Sequence, residues 1–124
     1  MRGILPALRA RRDTAPARFL ISRSVSIGSD EGRPAPERAD ALVKAGRAAL
    51  GKLGKPRLAA HHAEWAHRLA PAHPDVVALA VEALTPIRAH ARLERLLWVS
   101  LDASEGAARE RAIEHLAVLY EGPM

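Results

Sequence analysis

Apolar residues recur at steps of three and four from about residue 39 to residue 121, the spacing expected of helices that bury one face. Gly51, Pro71 and Gly122, with neighbouring glycines and prolines, interrupt this pattern as residues that end helices do. With short connections, the segments between them predict an all-α, antiparallel array of about five helices. The first helix follows Pro36 and ends at Gly51, and the others lie at about 56–70, 75–84, 86–101 and 104–121.

Two of these helices have recognisable start signals. Thr85 and Pro86 have the residue types of an N-cap and a first helical position. Asp102 and Glu105 have the spacing of a capping box, and Ser104 is an alternative cap. The helix at 86–101 is apolar around much of its circumference, which predicts a central position or a place in an interface.

The first 38 residues follow a different pattern. Phe19, Ile21, Val25 and Ile27 alternate with serines in a period of two, which is typical of a strand. No second strand is evident, so this pattern predicts pairing in a dimer or disorder. Residues 28–38 are rich in glycine, proline and charge and are predicted to form a linker. The expected organisation is a basic, disordered leader and linker over 1–38, followed by a helical domain over 39–124.

The charge is divided in the same way. Residues 1–29 hold six arginines and one aspartate, whereas residues 30–124 hold 13 basic and 13 acidic residues. The basic segment is consistent with a solvated tail, a mitochondrial transit peptide, or an arm that contacts nucleic acid or anionic lipid through phosphates. The protein is therefore expected in the cytoplasm, or in the mitochondrial matrix if the segment is a transit peptide.

Composition excludes several classes of protein. The chain has no cysteine, which excludes disulfide scaffolds, thiolate metal sites and cysteine nucleophiles. No apolar run approaches the roughly 18 residues that a membrane span needs. Aromatic residues make up only 3% of the chain, so a core of alanine, leucine and valine is expected, which favours closely packed helices.

The segment from Ala39 to Pro74 resembles a tetratricopeptide repeat (TPR). Small residues at the close-contact positions of two helices and a closing proline carry the resemblance: Leu42, Ala45, Gly46, Ala59, Ala63, Ala66 and Pro71. The resemblance implies TPR-like helical hairpins. One clear repeat with a weaker second one is short of the three usual in a free-standing array, which leaves apolar edges for a partner.

A narrower resemblance covers about residues 39–105. The run from Gly54 to Trp65, followed by Leu69, Ala70 and Pro71, is similar to the helical dimerisation domain of alkyl-sulfatase-type metallo-β-lactamase-fold hydrolases. In that family this domain carries no metal ligand. The metal-binding motif of the catalytic domain does not occur in this chain, so the resemblance implies dimerisation without hydrolase activity.

The histidines around the second helix are the residues that come closest to a catalytic pattern. Glu64 and His67 share one helix face, but a carboxylate-bridged metal site needs a second such pair, and the sequence has none. We therefore predict no metal or cofactor site, with His61, Glu64 and His67 on a solvated polar face and His62 half-packed. Serines at helix ends are explained by capping, so no catalytic residue is predicted.

These observations predict a non-enzymatic protein–protein interaction or dimerisation module. Its partner would be another protein or a second copy of the chain. The alternative is a nucleic-acid-binding protein that uses residues 1–29 as a basic arm on a helical scaffold. A metal-dependent helical enzyme is a third hypothesis. The candidate partner-binding residues are Trp65, Leu69, Leu97, Trp98 and Leu101.

Overall fold

The computed structural model describes residues 4–121, with side chains from Thr14 onward. Within this range every regular element is a helix, which confirms the all-α class. Six helices are present, one more than the pattern predicts, because the N-terminal segment is helical. They are α1 (Ile4–Gly28), α2 (Ala35–Gly51), α3 (Pro56–Leu69), α4 (Pro74–Leu84), α5 (His90–Ala103) and α6 (Gly106–Glu121).

Proline places the starts of α2, α3 and α4. Each of these helices has a proline in its first two positions, where the fixed φ angle suits the helix and the missing N–H removes no helical hydrogen bond. Asp75 in the first turn of α4 lies at the positive end of the helix dipole. At this start the His73 ring accepts a hydrogen bond from the Asp75 amide at 3.2 Å, so an imidazole provides the cap.

Two predicted helix starts are wrong. The Thr85 hydroxyl donates to the Val81 carbonyl at 2.6 Å and so belongs to the end of α4. The chain then turns through Arg88, which has a positive φ, and α5 begins at His90. Asp102 lies inside α5, so it cannot cap the next helix. Gly106 takes the left-handed conformation at the start of α6, and a glycine does so without strain.

The period-two prediction for residues 19–27 is also wrong, since they form the second half of α1. The positions that turn inward are Ala17, Ile21, Ser24 and Gly28, at helical steps of four, three and four. Three of these inward positions are small or polar. A search for large apolar residues therefore misses the helical period and shows a period of two instead. Phe19, which belongs to the apparent strand pattern, is 70% exposed.

Helix α1 packs directly against α2. A Cβ atom on Gly28 would come within 2.6 Å of the Leu42 side chain, so glycine permits this close approach. The Arg38 Nε donates to the Gly28 carbonyl at 2.9 Å and ties the two helices at their junction. The linker predicted over 28–38 is reduced to 29–34. Whether the arginines of residues 1–29 bind nucleic acid stays a prediction.

The core lies between α2, α3, α4 and α5, with α6 packed on α5 and α4. Small residues dominate it, as the composition predicts, and Gly46 of α2 lies against Leu79 of α4. A second, smaller cluster joins α2, α3 and α4, with Trp65 and Leu69 packed at its edge. None of the described helices is long and apolar enough to cross a membrane.

Candidate functional site

Helices α5 and α6 expose an unusual amount of large apolar side chain. Of the seven large hydrophobic residues that are exposed in the described part of the chain, five lie on these two helices. The inward positions of α5 are leucines and Ser100, so α5 fills its core face and still has apolar residues to expose. We call these five residues the α5–α6 surface: Trp98, Val99, Ile113, Val118 and Tyr120.

A chain of hydrogen bonds fixes the aromatic residues of this surface. The Trp98 indole N–H donates to the Tyr120 hydroxyl at 3.1 Å, and that hydroxyl donates to Glu94 Oε1 at 2.8 Å. The bond to Glu94 raises the pKa of Tyr120, while the bond from Trp98 acts in the opposite direction. Trp98 remains 46% exposed, so its ring is held in place with much of its surface open to solvent.

An apolar groove of about 260 Å³ opens beside this surface, between α4, α5 and α6. Val81 and Leu93 contribute from α4 and α5, and Val118 and Leu119 contribute from α6. Two histidines and a threonine supply the polar groups of the lining: His90, His115 and Thr85.

The five predicted partner-binding residues fall into three environments. Leu97 and Leu101 are buried in the main core, where they pack within the chain. Trp65 and Leu69 are partly buried against the smaller cluster. Trp98 is the exposed one of the five, so the structure does not bring this set together on one surface. Sequence reasoning missed Ile113 and Val118, because apolar residues on a terminal helix look like core positions.

A second, polar site lies between α3 and α5. This α3–α5 cleft has a volume of about 220 Å³ and two facing sets of side chains. Arg92 donates to both Glu64 oxygens, with Nε to Oε2 at 3.2 Å, so the two helices are joined by a two-pronged ion pair. The remaining lining consists of His67, Arg68, Arg95, Leu96 and Val99.

His67 is buried beneath this cleft, which corrects the prediction of a solvated polar face. Its Nε2 and the Ser100 Oγ share a hydrogen bond of 2.9 Å. Burial lowers the pKa of His67, although a hydrogen bond to the Leu96 backbone and the charge of Glu64 oppose that effect. The Ser100 side chain is fully buried, so a substrate cannot reach its hydroxyl in this conformation.

His62 is buried rather than half-packed, and neither of its ring nitrogens has a hydrogen-bond partner among the described residues. Burial lowers the pKa of His62, and the neighbouring His61 lowers it further. Among the described side chains, those of residues 14–121, no three histidines or carboxylates are grouped so that they could hold a metal ion. Glu64 and His67 instead bind separate partners on α5.

Part of the cleft could have been found from spacing. Glu64, His67 and Arg68 lie on one face of α3, at steps of three and one, and Arg92, Arg95 and Val99 lie on one face of α5. Whether these two sets of side chains face each other depends on how α3 and α5 pack. Residue spacing within each helix does not determine that packing.

Comparison with known proteins gives no family to which the chain can be assigned. No protein-family model, no curated protein and no solved structure matches it. The resemblances to the TPR and to the sulfatase dimerisation domain therefore stay predictions that rest on the residues quoted for them.

Proposed function

We propose that this protein is a non-enzymatic protein-interaction module that dimerises through the α5–α6 surface. The observation that carries the proposal is Trp98, a half-exposed indole held in place by Tyr120 and Glu94. A rigid aromatic ring with little rotational freedom left to lose is the kind of residue that dominates binding energy at interfaces. Ile113 and Val118 are further exposed apolar residues on α6.

The charge distribution favours a second copy as the partner at this surface. Helix α5 has two arginines and two acidic residues, and α6 has two arginines and three glutamates. Two copies can therefore meet through this surface with little repulsion. By contrast, α1 has five arginines and one aspartate, so its exposed Phe19 and Leu20 are poorly placed for contact with an identical helix.

The contacts of the polar side chains support the proposal of a function without catalysis. Glu64 binds Arg92, and His67 binds the fully buried Ser100. Each group that could act as a base or a nucleophile in the cleft already has a partner within the chain. These contacts join α3 to α5, and Trp98 lies outside the buried face of α5.

The proposal is tested by measuring molar mass against concentration, using sedimentation or light scattering on the full chain. We expect a concentration-dependent dimer whose dissociation constant rises at least about thirtyfold in Trp98→Ala, the loss expected of a central anchor. Trp98→Phe, which keeps part of the ring area, should have a smaller effect. Phe19→Ser is the matched control, because it removes an exposed aromatic residue from α1.

Two results would contradict the proposal. One is a monomer at every concentration up to the millimolar range. The other is a dimer that Phe19→Ser weakens as strongly as Trp98→Ala, which would place the interface on α1. The circular dichroism spectrum of each variant is compared with that of the wild type, so that loss of the dimer can be distinguished from unfolding.

A further inference from the structure

We propose that the α3–α5 cleft is a binding site for a phosphate group, which Arg68 and Arg95 bind from opposite helices. Arg68 lies on α3 and Arg95 lies on α5, and both line the cleft. This polar site adjoins the α5–α6 surface, with which it shares Val99.

The charges that line the cleft are not balanced by other side chains in the described part of the protein. Its lining holds three arginines against the single carboxylate of Glu64. Arg92 is engaged by that carboxylate, whereas Arg68 and Arg95 make no ion pair or side-chain hydrogen bond with any described residue. The lining therefore has an excess of two positive charges, placed on two helices that the Glu64–Arg92 pair holds together.

The amount of charge favours phosphate over carboxylate. A phosphomonoester carries a charge of about −1.5 to −2 at neutral pH and three strong acceptor oxygens, so it can balance both free arginines. A carboxylate carries a single charge and would leave one arginine unbalanced. Guanidinium groups also bind phosphate with two parallel hydrogen bonds, which favours the arginines found here.

The size and apolar wall of the cleft define the ligand further. Its volume of about 220 Å³ is below the roughly 300–1,000 Å³ of sites for drug-sized molecules, so a small phosphate compound fits it better. Leu96 and Val99 form an apolar wall beside the arginines. Such a wall can hold the organic part of a phosphomonoester, whereas free phosphate would use the arginines alone.

The test is a titration of the full chain with inorganic phosphate, phenyl phosphate and benzoate at constant ionic strength, followed by amide chemical shifts. We expect saturable shifts at residues 92–99 with both phosphates and a much weaker response to benzoate. Tighter binding of phenyl phosphate would identify a phosphomonoester as the ligand, and tighter binding of inorganic phosphate would identify the free ion. Arg68→Gln and Arg95→Gln should each raise the dissociation constant about tenfold or more.

Arg18→Gln is the matched control, since it removes one exposed arginine from α1 and the same amount of charge. It should leave the dissociation constant unchanged. The proposal is overturned if the shifts do not saturate, if benzoate binds as well as phenyl phosphate, or if Arg18→Gln weakens binding as much as the cleft variants do. The circular dichroism spectrum of each variant must match that of the wild type before its binding is compared.

Discussion

Helices α2 and α6 are close in length but differ in how they are used. Eight of the 17 residues of α2 are buried, and it packs against α1, α3 and α4. Two of the 16 residues of α6 are buried, Ala112 and Leu116, and its contacts are with α5 and α4. Other large apolar residues of α6, Ile113 and Val118, are exposed.

The difference lies in side-chain size more than in hydrophobicity. The buried face of α2 is mainly alanine with Gly46, and small residues allow three helices to approach it closely. Helix α6 carries larger apolar residues but has too few neighbours to bury them. A count of apolar residues would rank the two helices as equals. Side-chain size, and with it the number of helices that pack closely, separates the interior helix α2 from the peripheral helix α6.

The largest expected effect is a difference in the free energy of unfolding between a variant of α2 and a variant of α6. Leu42→Ala in α2 removes a fully buried side chain that also contacts Gly28 of α1, so it should lower the free energy of unfolding by about 2–5 kcal/mol. Ile113→Ala in α6 removes a half-exposed side chain and should change it by no more than about 0.5 kcal/mol. Urea unfolding of both variants, at a concentration where the protein is monomeric, measures the difference. Equal losses would show that α6 is not the peripheral helix described above.

The close approach of α2 can be tested within that helix. A Cβ atom at Gly46 would lie 2.4 Å from Leu79 Cδ2, whereas one at Gly51 would meet no atom within 4 Å. Gly46→Ala should therefore destabilise the protein by about 1–3 kcal/mol through overpacking, since the buried Leu79 has little room to move. Gly51→Ala should leave stability unchanged or raise it by up to about 1 kcal/mol. If Gly46→Ala also stabilises the chain, α2 and α4 are less tightly packed than the structure shows.

Much of the fold could be predicted from sequence. The spacing of apolar residues and the prolines at 56 and 74 are local signals, and they locate α3 and α4 to within one residue at each end. The prediction of a strand over residues 19–27 is wrong because the packing face of α1 uses Ala17, Ser24 and Gly28, which no hydrophobic pattern reveals. The start of α5 was misplaced because Thr85 ends one helix with the same side chain that could begin the next.

The candidate site was harder to predict. Trp98 stands out in the sequence as a rare aromatic residue, and the structure leaves it exposed. Leu97 and Leu101 belong to the same apolar helix, but their orientation depends on which neighbours α5 has. The pairing of His67 with Ser100 spans 33 residues of chain and arises from tertiary packing alone.

A smaller effect should appear in the pH dependence of stability. Burial lowers the pKa of His62 and His67 in the folded state, so the unfolded chain takes up protons at a higher pH than the folded chain does. Stability should therefore fall as the pH drops below about 6.5, with a slope of at most about 1.4 kcal/mol per pH unit for each histidine.

The variants that test this pH dependence are His62→Gln and His67→Gln, which should each reduce the slope of unfolding free energy against pH. The double variant should nearly abolish it between about pH 6.5 and pH 5. Ile113→Ala is the control from α6, and its profile should run parallel to that of the wild type. A double variant that keeps the wild-type slope would assign the pH dependence to other groups.

The smallest expected effect concerns the hydrogen-bond chain on the α5–α6 surface. Tyr120 is the single tyrosine of the chain, so the absorbance of the phenolate reports its titration without overlap from another tyrosine. Donation to the Glu94 carboxylate favours the protonated phenol and raises the pKa of Tyr120 above its usual value of about 10. Glu94→Gln removes the negative charge and should shift the titration to lower pH, whereas Glu114→Gln, an exposed change on α6, should shift it less. Equal shifts would mean that Tyr120 senses only the general charge of this region, and that Glu94 does not hold the aromatic pair in place.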